Sequence, residues 1–227
     1  MKKQGPLFWE NISIEGLEQL TTELKSVFQT PSLIILEGPL GAGKTTLFNV
    51  IAGVLKPTSG TVSMAGEDIT GLPPHDLFHK GLLRTFQIAH EFSSMSVREN
   101  LTLPLVVSGR EDEMDAGHLD DLLGWVGLTE RGDALPPELS GGERQRAALA
   151  RAIIMSPDLI LADEPTGNVD WEMAQRLLAL LVELNKMGKT IVIATHDLNL
   201  IRNLKTEISA RVLRISNGKL QLAGADL

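Results

Sequence analysis

Apolar residues along the chain follow two periods, and the switches between them mark out its elements. Leu33 to Leu36 is an uninterrupted apolar run, and after a glycine-rich stretch Leu47, Val50, Ile51 and Val54 recur three or four positions apart. A short continuous run fits a strand buried on both faces, and the spaced set fits one face of a helix. The segment therefore reads strand, loop, helix. Thr61 to Met64 and Leu82 to Phe86 carry further strand-like runs. From Ser96 the pattern turns helical: Ser96 and Glu99 stand at capping-box spacing, and Leu119, Leu122, Leu123 and Val126 continue it up to the Pro136-Pro137 break. Ser140 and Glu143 repeat the capping spacing and open a helix expected to end near Ser156-Pro157, because the residue before a proline disfavours helical geometry. Leu159 to Ala162 and Thr190 to Ala194 read as buried strands on either side of a helix from Trp171 to Met187. Alternating strand and helix predicts an α/β fold on a parallel sheet. Arg211 to Ile215 and Lys219 to Leu222 flank Asn217-Gly218, a pair that readily takes a type I′ turn, so the tail reads as a hairpin. There is no internal repeat and no low-complexity linker.

Composition narrows the class. With 227 residues, 43% hydrophobic and 22% charged, the chain is long enough for one sizeable core. Runs such as Leu159 to Ala162 and Leu177 to Val182 are far shorter than the roughly 20 residues of a membrane-spanning helix. Met1-Lys2-Lys3-Gln4-Gly5-Pro6 is not followed by an apolar segment with a small-residue cleavage site, so export is not expected. The absence of cysteine rules out disulfides. A net charge of -8 argues against nucleic acid or an anionic lipid surface as the main partner.

Candidate chemistry begins with Gly38-Pro39-Leu40-Gly41-Ala42-Gly43-Lys44-Thr45, continued by Thr46. It matches the phosphate-loop pattern and has the strand before and the helix after that the mechanism requires. Glycines let backbone N–H groups turn toward phosphates, and the helix directs its positive end there. Lys44 is expected to reach the β- and γ-phosphates and Thr45 to offer its hydroxyl to Mg²⁺. The competing reading is a glycine turn before a core helix, which the flanking elements disfavour.

Leu159-Ile160-Leu161-Ala162-Asp163-Glu164 is an apolar strand ending in two carboxylates at the sheet edge where α/β ligands sit. Asp163 suits Mg²⁺ there, and Glu164 suits orienting or deprotonating a water. Taken alone, the pair would read as an exposed helix start. Leu139-Ser140-Gly141-Gly142-Glu143-Arg144-Gln145 is a second helix opening able to address a phosphate, although in isolation a simple helix cap explains it equally well. One nucleotide does not need two such sites in one chain. The economical explanation is that two chains sandwich each nucleotide.

In this order, and over nearly the whole length, these motifs resemble the nucleotide-binding subunit of ABC transporters. The resemblance implies a P-loop ATPase of the ABC type spanning residues 1–227 as one domain. A helical subdomain of about 88–157 lies within it, beside a small antiparallel β-subdomain. It also implies ATP and Mg²⁺ as cofactors. Gln87, in Arg84-Thr85-Phe86-Gln87, resembles the Q-loop glutamine that senses metal and water, and so joins Thr45 and Asp163 as a metal residue. Asp170, in Gly167-Asn168-Val169-Asp170, resembles the D-loop aspartate. It would act in trans with the signature residues Ser140, Gly141, Gly142 and Glu143. His196, in Thr195-His196-Asp197, resembles the switch histidine. Glu164, His196 and Gln87 are then the catalytic set. Implied partners are a second copy, as an ATP-dependent homodimer, and an integral permease or FtsX-like protein. The implied location is peripheral, on the cytoplasmic face of the cell membrane.

Ala162-Asp163-Glu164-Pro165-Thr166-Gly167-Asn168 and Ala194-Thr195-His196-Asp197-Leu198-Asn199-Leu200-Ile201 resemble the cell-division (FtsE-like) group with the lipoprotein-release and macrolide-export ATPases. Gly81-Leu82-Leu83-Arg84-Thr85-Phe86-Gln87 looks more like branched-chain amino-acid importers. One departure stands out. The chain has no Tyr, and Asn11-Ile12-Ser13-Ile14-Glu15-Gly16 lacks the aromatic that in the family stacks on adenine. Phe8 and Trp9 are the candidates to substitute, although a plain edge-strand or core role is the commoner one for such residues.

Overall fold

The computed structural model describes residues 7–13, 32–85, 92–113, 116–166, 171–197, 210–216 and 219–222. In chain order these hold β1 (Leu7–Ser13), β2 (Leu33–Glu37), α1 (Lys44–Ile51), β3 (Ser59–Met64), β4 (Glu67–Asp68), α2 (Pro74–His79) and β5 (Leu82–Thr85). There follow α3 (Val97–Val107), α4 (Ala116–Trp125), α5 (Gly141–Ile153), β6 (Leu159–Asp163), α6 (Trp171–Lys186), β7 (Thr190–Thr195), β8 (Arg211–Ser216) and β9 (Lys219–Leu222). The chain divides into two compact units. The first gathers Met1–Arg84, Asp158–Glu164 and Leu181–Leu227, and the second Thr85–Pro157 with Pro165–Leu180.

The first unit is built on a six-stranded sheet in the order β5-β6-β7-β2-β8-β9. Strands β6, β7, β2 and β8 run parallel, and β9 returns antiparallel to β8 as the hairpin reading predicts. Every residue of β2 and β6 is buried, which is why their sequences are continuous apolar runs rather than alternating ones. Ile34 and Leu36 of β2, Leu159 and Leu161 of β6, Val192 and Ala194 of β7, and Leu213 and Ile215 of β8 share one face. There they pack with Leu47, Phe48 and Ile51 of α1. This period of two within each strand meets the 3.6-residue period of the helix at one core. Helix α1 stops at Ile51, so Val54, which the helical spacing includes, lies beyond it and is half exposed. The amides of Val54 and Leu55 both donate to the Asn49 carbonyl, which closes the helix early. A separate antiparallel sheet, β1-β3-β4, pairs Phe8 with Ser63 and Trp9 with Val62.

The second unit is helical. The long helical pattern after Ser96 resolves into α3 and α4 with short 3-10 turns at Glu111–Glu113, Thr129–Arg131 and Pro136–Glu138. Helix α3 opens on a complete capping box, Ser96 with Glu99, and α5 on another, Ser140 with Glu143. Asn100, buried on α3, donates to the carbonyls of Phe92, Met95 and Ser96 and accepts from the Phe92 amide, which ties the preceding loop to the helix. Among the described residues no helix is long and apolar enough to cross a membrane.

Candidate functional site

Strand β2 delivers the phosphate loop to the C-terminal edge of the parallel sheet, where α/β folds place ligands. Glycine is required at position 38 by close approach: a Cβ there would sit 2.7 Å from the backbone oxygen of Ile215 on β8. Gly43 precedes α1 with φ 98°, a left-handed conformation that side chains with a Cβ resist. No side chain caps α1 and no acidic residue occupies its first turn. Its opening N–H groups and the positive end of its dipole are therefore presented to an anion. Lys44 is 6% exposed and curls over its own loop, where Nζ donates to the carbonyls of Gly38 at 2.5 Å and Pro39 at 3.2 Å. Pro39, Leu40, Gly41 and Thr45 line the exposed side of the loop, with Ala42 and Thr46 half-buried.

Asp163 and Glu164 follow at the end of β6, beside this loop. Asp163 is buried, and its Oδ1 accepts from Thr45 Oγ1 at 3.4 Å. A hydroxyl and a carboxylate together are hard oxygen donors, and next to a phosphate-binding turn they fit Mg²⁺. Glu164 has φ 44°, an uncommon conformation for a residue with a side chain, of the kind that clusters at functional sites. Its amide donates to the Ala194 carbonyl at 2.9 Å, one step beyond the last β6–β7 register pair of Asp163 with Ala194. Its carboxylate is buried and lies 2.8 Å from Nδ1 of His196, whose side chain is half exposed. A buried carboxylate oriented by a solvent-reaching imidazole is able to hold a water and take its proton.

Two arginines here make polar contacts that carry no signal in the sequence pattern. Arg84, at the end of β5, pairs with Asp163 through Nη2 and Oδ2 at 3.1 Å and donates through Nη1 to Asn49 of α1. Glu37, buried at the end of β2, accepts from Arg214 Nε of β8, its registered neighbour in the parallel pair. Both join residues far apart in sequence, so no local spacing reveals them.

In the second unit, Ser140 and Gly141 are exposed where α5 begins. Ser140 Oγ accepts from the Glu143 amide at 3.3 Å, and Glu143 Oε2 accepts from the Ser140 amide at 2.8 Å. The Ser140 hydroxyl keeps its own proton to donate. The bonds from Ser140, backbone first and then hydroxyl, hold the Glu143 carboxyl below the ordinary glutamate range, with Arg131 3.1 Å away adding to the effect. Gly142 is half-buried in the first turn. Gln87 and Asp170 lie outside the described residues, as do the side chains of Phe8 and Trp9. The backbone places the latter two in β1, an edge strand of the antiparallel sheet.

Comparison with known proteins agrees with this geometry. The family model described as "ABC transporter" matches residues 10–167. The chain is 36% identical over 194 residues to the cell division ATP-binding protein FtsE of Escherichia coli (strain K12), covering 85% of this chain and 86% of that one. It is 39% identical over 196 residues to the lipoprotein-releasing system ATP-binding protein LolD of Xanthomonas euvesicatoria pv. vesicatoria, covering 85% and 78%. Among solved structures, the ADP conformation of MJ1267, an ATP-binding cassette of an ABC transporter, superposes with a TM-score of 0.78 at 27% identity, covering 95% and 89%. A bare helix N-terminus with its lysine, two carboxylates at the adjoining strand end and a matched family model lead to one assignment: the chain belongs to the ABC transporter family and is one of its ATP-hydrolysing, nucleotide-binding subunits.

Proposed function

We propose that the chain works as one ATPase domain over its 227 residues, with the helical part of about 88–157 inside it, and that it closes on ATP as a homodimer against an integral membrane partner. The observation that supports this most directly is the shared placement of Lys44, Thr45, Asp163 and the Glu164–His196 pair at one edge of the parallel sheet. Lys44 exchanges the Gly38 and Pro39 carbonyls for the β- and γ-phosphates, while the amides from Gly41 to Thr46 wrap them. Thr45 and Asp163, with Gln87, would hold Mg²⁺, which when bound would supply positive charge against the phosphate oxygens. Glu164 orients the attacking water and accepts its proton. His196 keeps Glu164 in place through Nδ1 and turns its other ring nitrogen toward the γ-phosphate.

Ser140, Gly141, Gly142, Glu143 and Asp170 serve the nucleotide held by the second copy. The exposed Ser140 hydroxyl and the α5 dipole then complete the shell around the γ-phosphate. Hydrolysis removes that phosphate and reopens the pair. The motion passes to the membrane partner, so the protein sits peripherally on the membrane. The relatives named for cell division and for lipoprotein release support an output other than solute import.

Lys44→Ala tests the site. ATPase activity should fall to background and ATP affinity should drop sharply, because the phosphate charge loses its main cation. Wild-type turnover in that variant removes the assignment. A pull-down from detergent-solubilised membranes, with Glu164→Gln to hold ATP, should recover an integral membrane protein.

A further inference from the structure

Arg84 is a buried cation that the mechanism above does not use. Its side chain is 9% exposed and that of its partner Asp163 is 3% exposed. Nη2 takes Asp163 Oδ2 at 3.1 Å while Nη1 donates to Asn49, which lies one helical turn beyond Thr45 on α1. One rigid fork thus ties the end of β5 to the metal-side carboxylate and to the phosphate-loop helix. With Oδ2 engaged by Arg84, Oδ1 is the oxygen turned to Thr45. The same cation stands behind the carboxylate and opposes any dication on its other side, and at low effective dielectric that opposition is several-fold stronger than in water.

We propose that Arg84 is a positioning residue for the metal-dependent step. It fixes which Asp163 oxygen faces Thr45, and its charge limits how tightly Mg²⁺ is held there. The inference rests on the reading that Thr45 and Asp163 hold Mg²⁺. Without the cation, Asp163 would bind the metal more tightly but in a looser geometry, so affinity rises while turnover falls.

The test uses the full chain and follows N-methylanthraniloyl-ATP fluorescence as Mg²⁺ is titrated from an EDTA baseline, with ATPase kinetics measured in parallel. Arg84→Gln should lower the Mg²⁺ midpoint by about tenfold and reduce kcat with little change in KM. Arg84→Lys keeps the charge but cannot reach Asp163 and Asn49 together. It should hold the midpoint within about threefold of wild type while still lowering kcat. A role in folding alone would lower the melting temperature of both variants and leave the Mg²⁺ midpoint and kcat unmoved, which overturns the proposal. Should Arg84→Gln fail to fold, Arg84→Lys and Asn49→Ser decide it, since both retain the charge and lose the fork: reduced kcat in each upholds the proposal, and wild-type kcat in each overturns it. Asp163→Asn separates the two layers. Loss of the Mg²⁺ response in Asp163→Asn with an unmoved Arg84→Gln defeats only the positioning role, whereas a wild-type response in Asp163→Asn defeats the underlying metal reading.

Discussion

At Glu164 two demands meet that substitution can separate. The carboxylate faces His196, and the backbone sits at φ 44°, where a Cβ is strained by about 1–2 kcal/mol. Glu164→Gln keeps the size and the hydrogen bond but cannot take a proton. ATP binding should stay within about threefold while kcat falls by about 10²–10⁴, as measured by nucleotide fluorescence and steady-state kinetics. The backbone demand predicts a reversed order of stability: in thermal unfolding Glu164→Gly should be more stable than Glu164→Ala by about 1 kcal/mol, because glycine takes positive φ without strain. Alanine more stable than glycine would show that the turn relaxes when its side chain is cut back. Asp163 and Glu164 were legible only in company: a strand ending in two acids reads by itself as an exposed helix start, and the phosphate loop earlier in the chain is what gave the pair a use, while their burial is visible only in the fold. Arg84, Asn49, Glu37 and Arg214 were not legible, because a contact between distant strands leaves no period in the sequence.

Among the helices, α3 and α5 offer an internal control. Both begin with Ser at the cap and Glu three residues on, with reciprocal hydrogen bonds of the same kind. As caps, Ser96→Ala and Ser140→Ala should each cost about 1 kcal/mol of stability in thermal unfolding. Only Ser140→Ala should also abolish ATPase activity. Equal activity in the two variants would reduce Ser140 to a helix cap. The boxes carry a pH signature as well. Bonds from Ser140 depress the folded pKa of Glu143, so the stability they add is present above the unfolded glutamate value and is lost as pH falls through the lower folded one. Glu143→Gln should remove that acid-side dependence, and denaturant midpoints from neutral to acid pH would record a flatter profile. Both boxes were legible from spacing alone because capping is local. The break of the helical run into α3, α4 and 3-10 turns was not, since tertiary packing decides where a marginal helix ends.

Across the whole molecule, the sheet order β5-β6-β7-β2-β8-β9 was beyond the sequence, which forecast parallel strands but not their neighbours. If two chains share each nucleotide, mixing Lys44→Ala with Ser140→Ala chains should restore one competent composite site per heterodimer and part of the ATPase activity. No recovery in heterodimers shown to form counts against the shared site. Without a tyrosine to stack on adenine, the preference for ATP over GTP in kcat/KM should stay below about tenfold, or ~1.4 kcal/mol. A hundredfold preference would point to base contacts made elsewhere, with Trp9 and Phe8 the first to mutate. The approach of Gly38 to the Ile215 oxygen has a genetic corollary. Because the obstacle is main chain, no choice of amino acid at 215 removes it. A Gly38→Ala defect should therefore be free of allele-specific suppressors at that position, and selection for restored function should return true revertants.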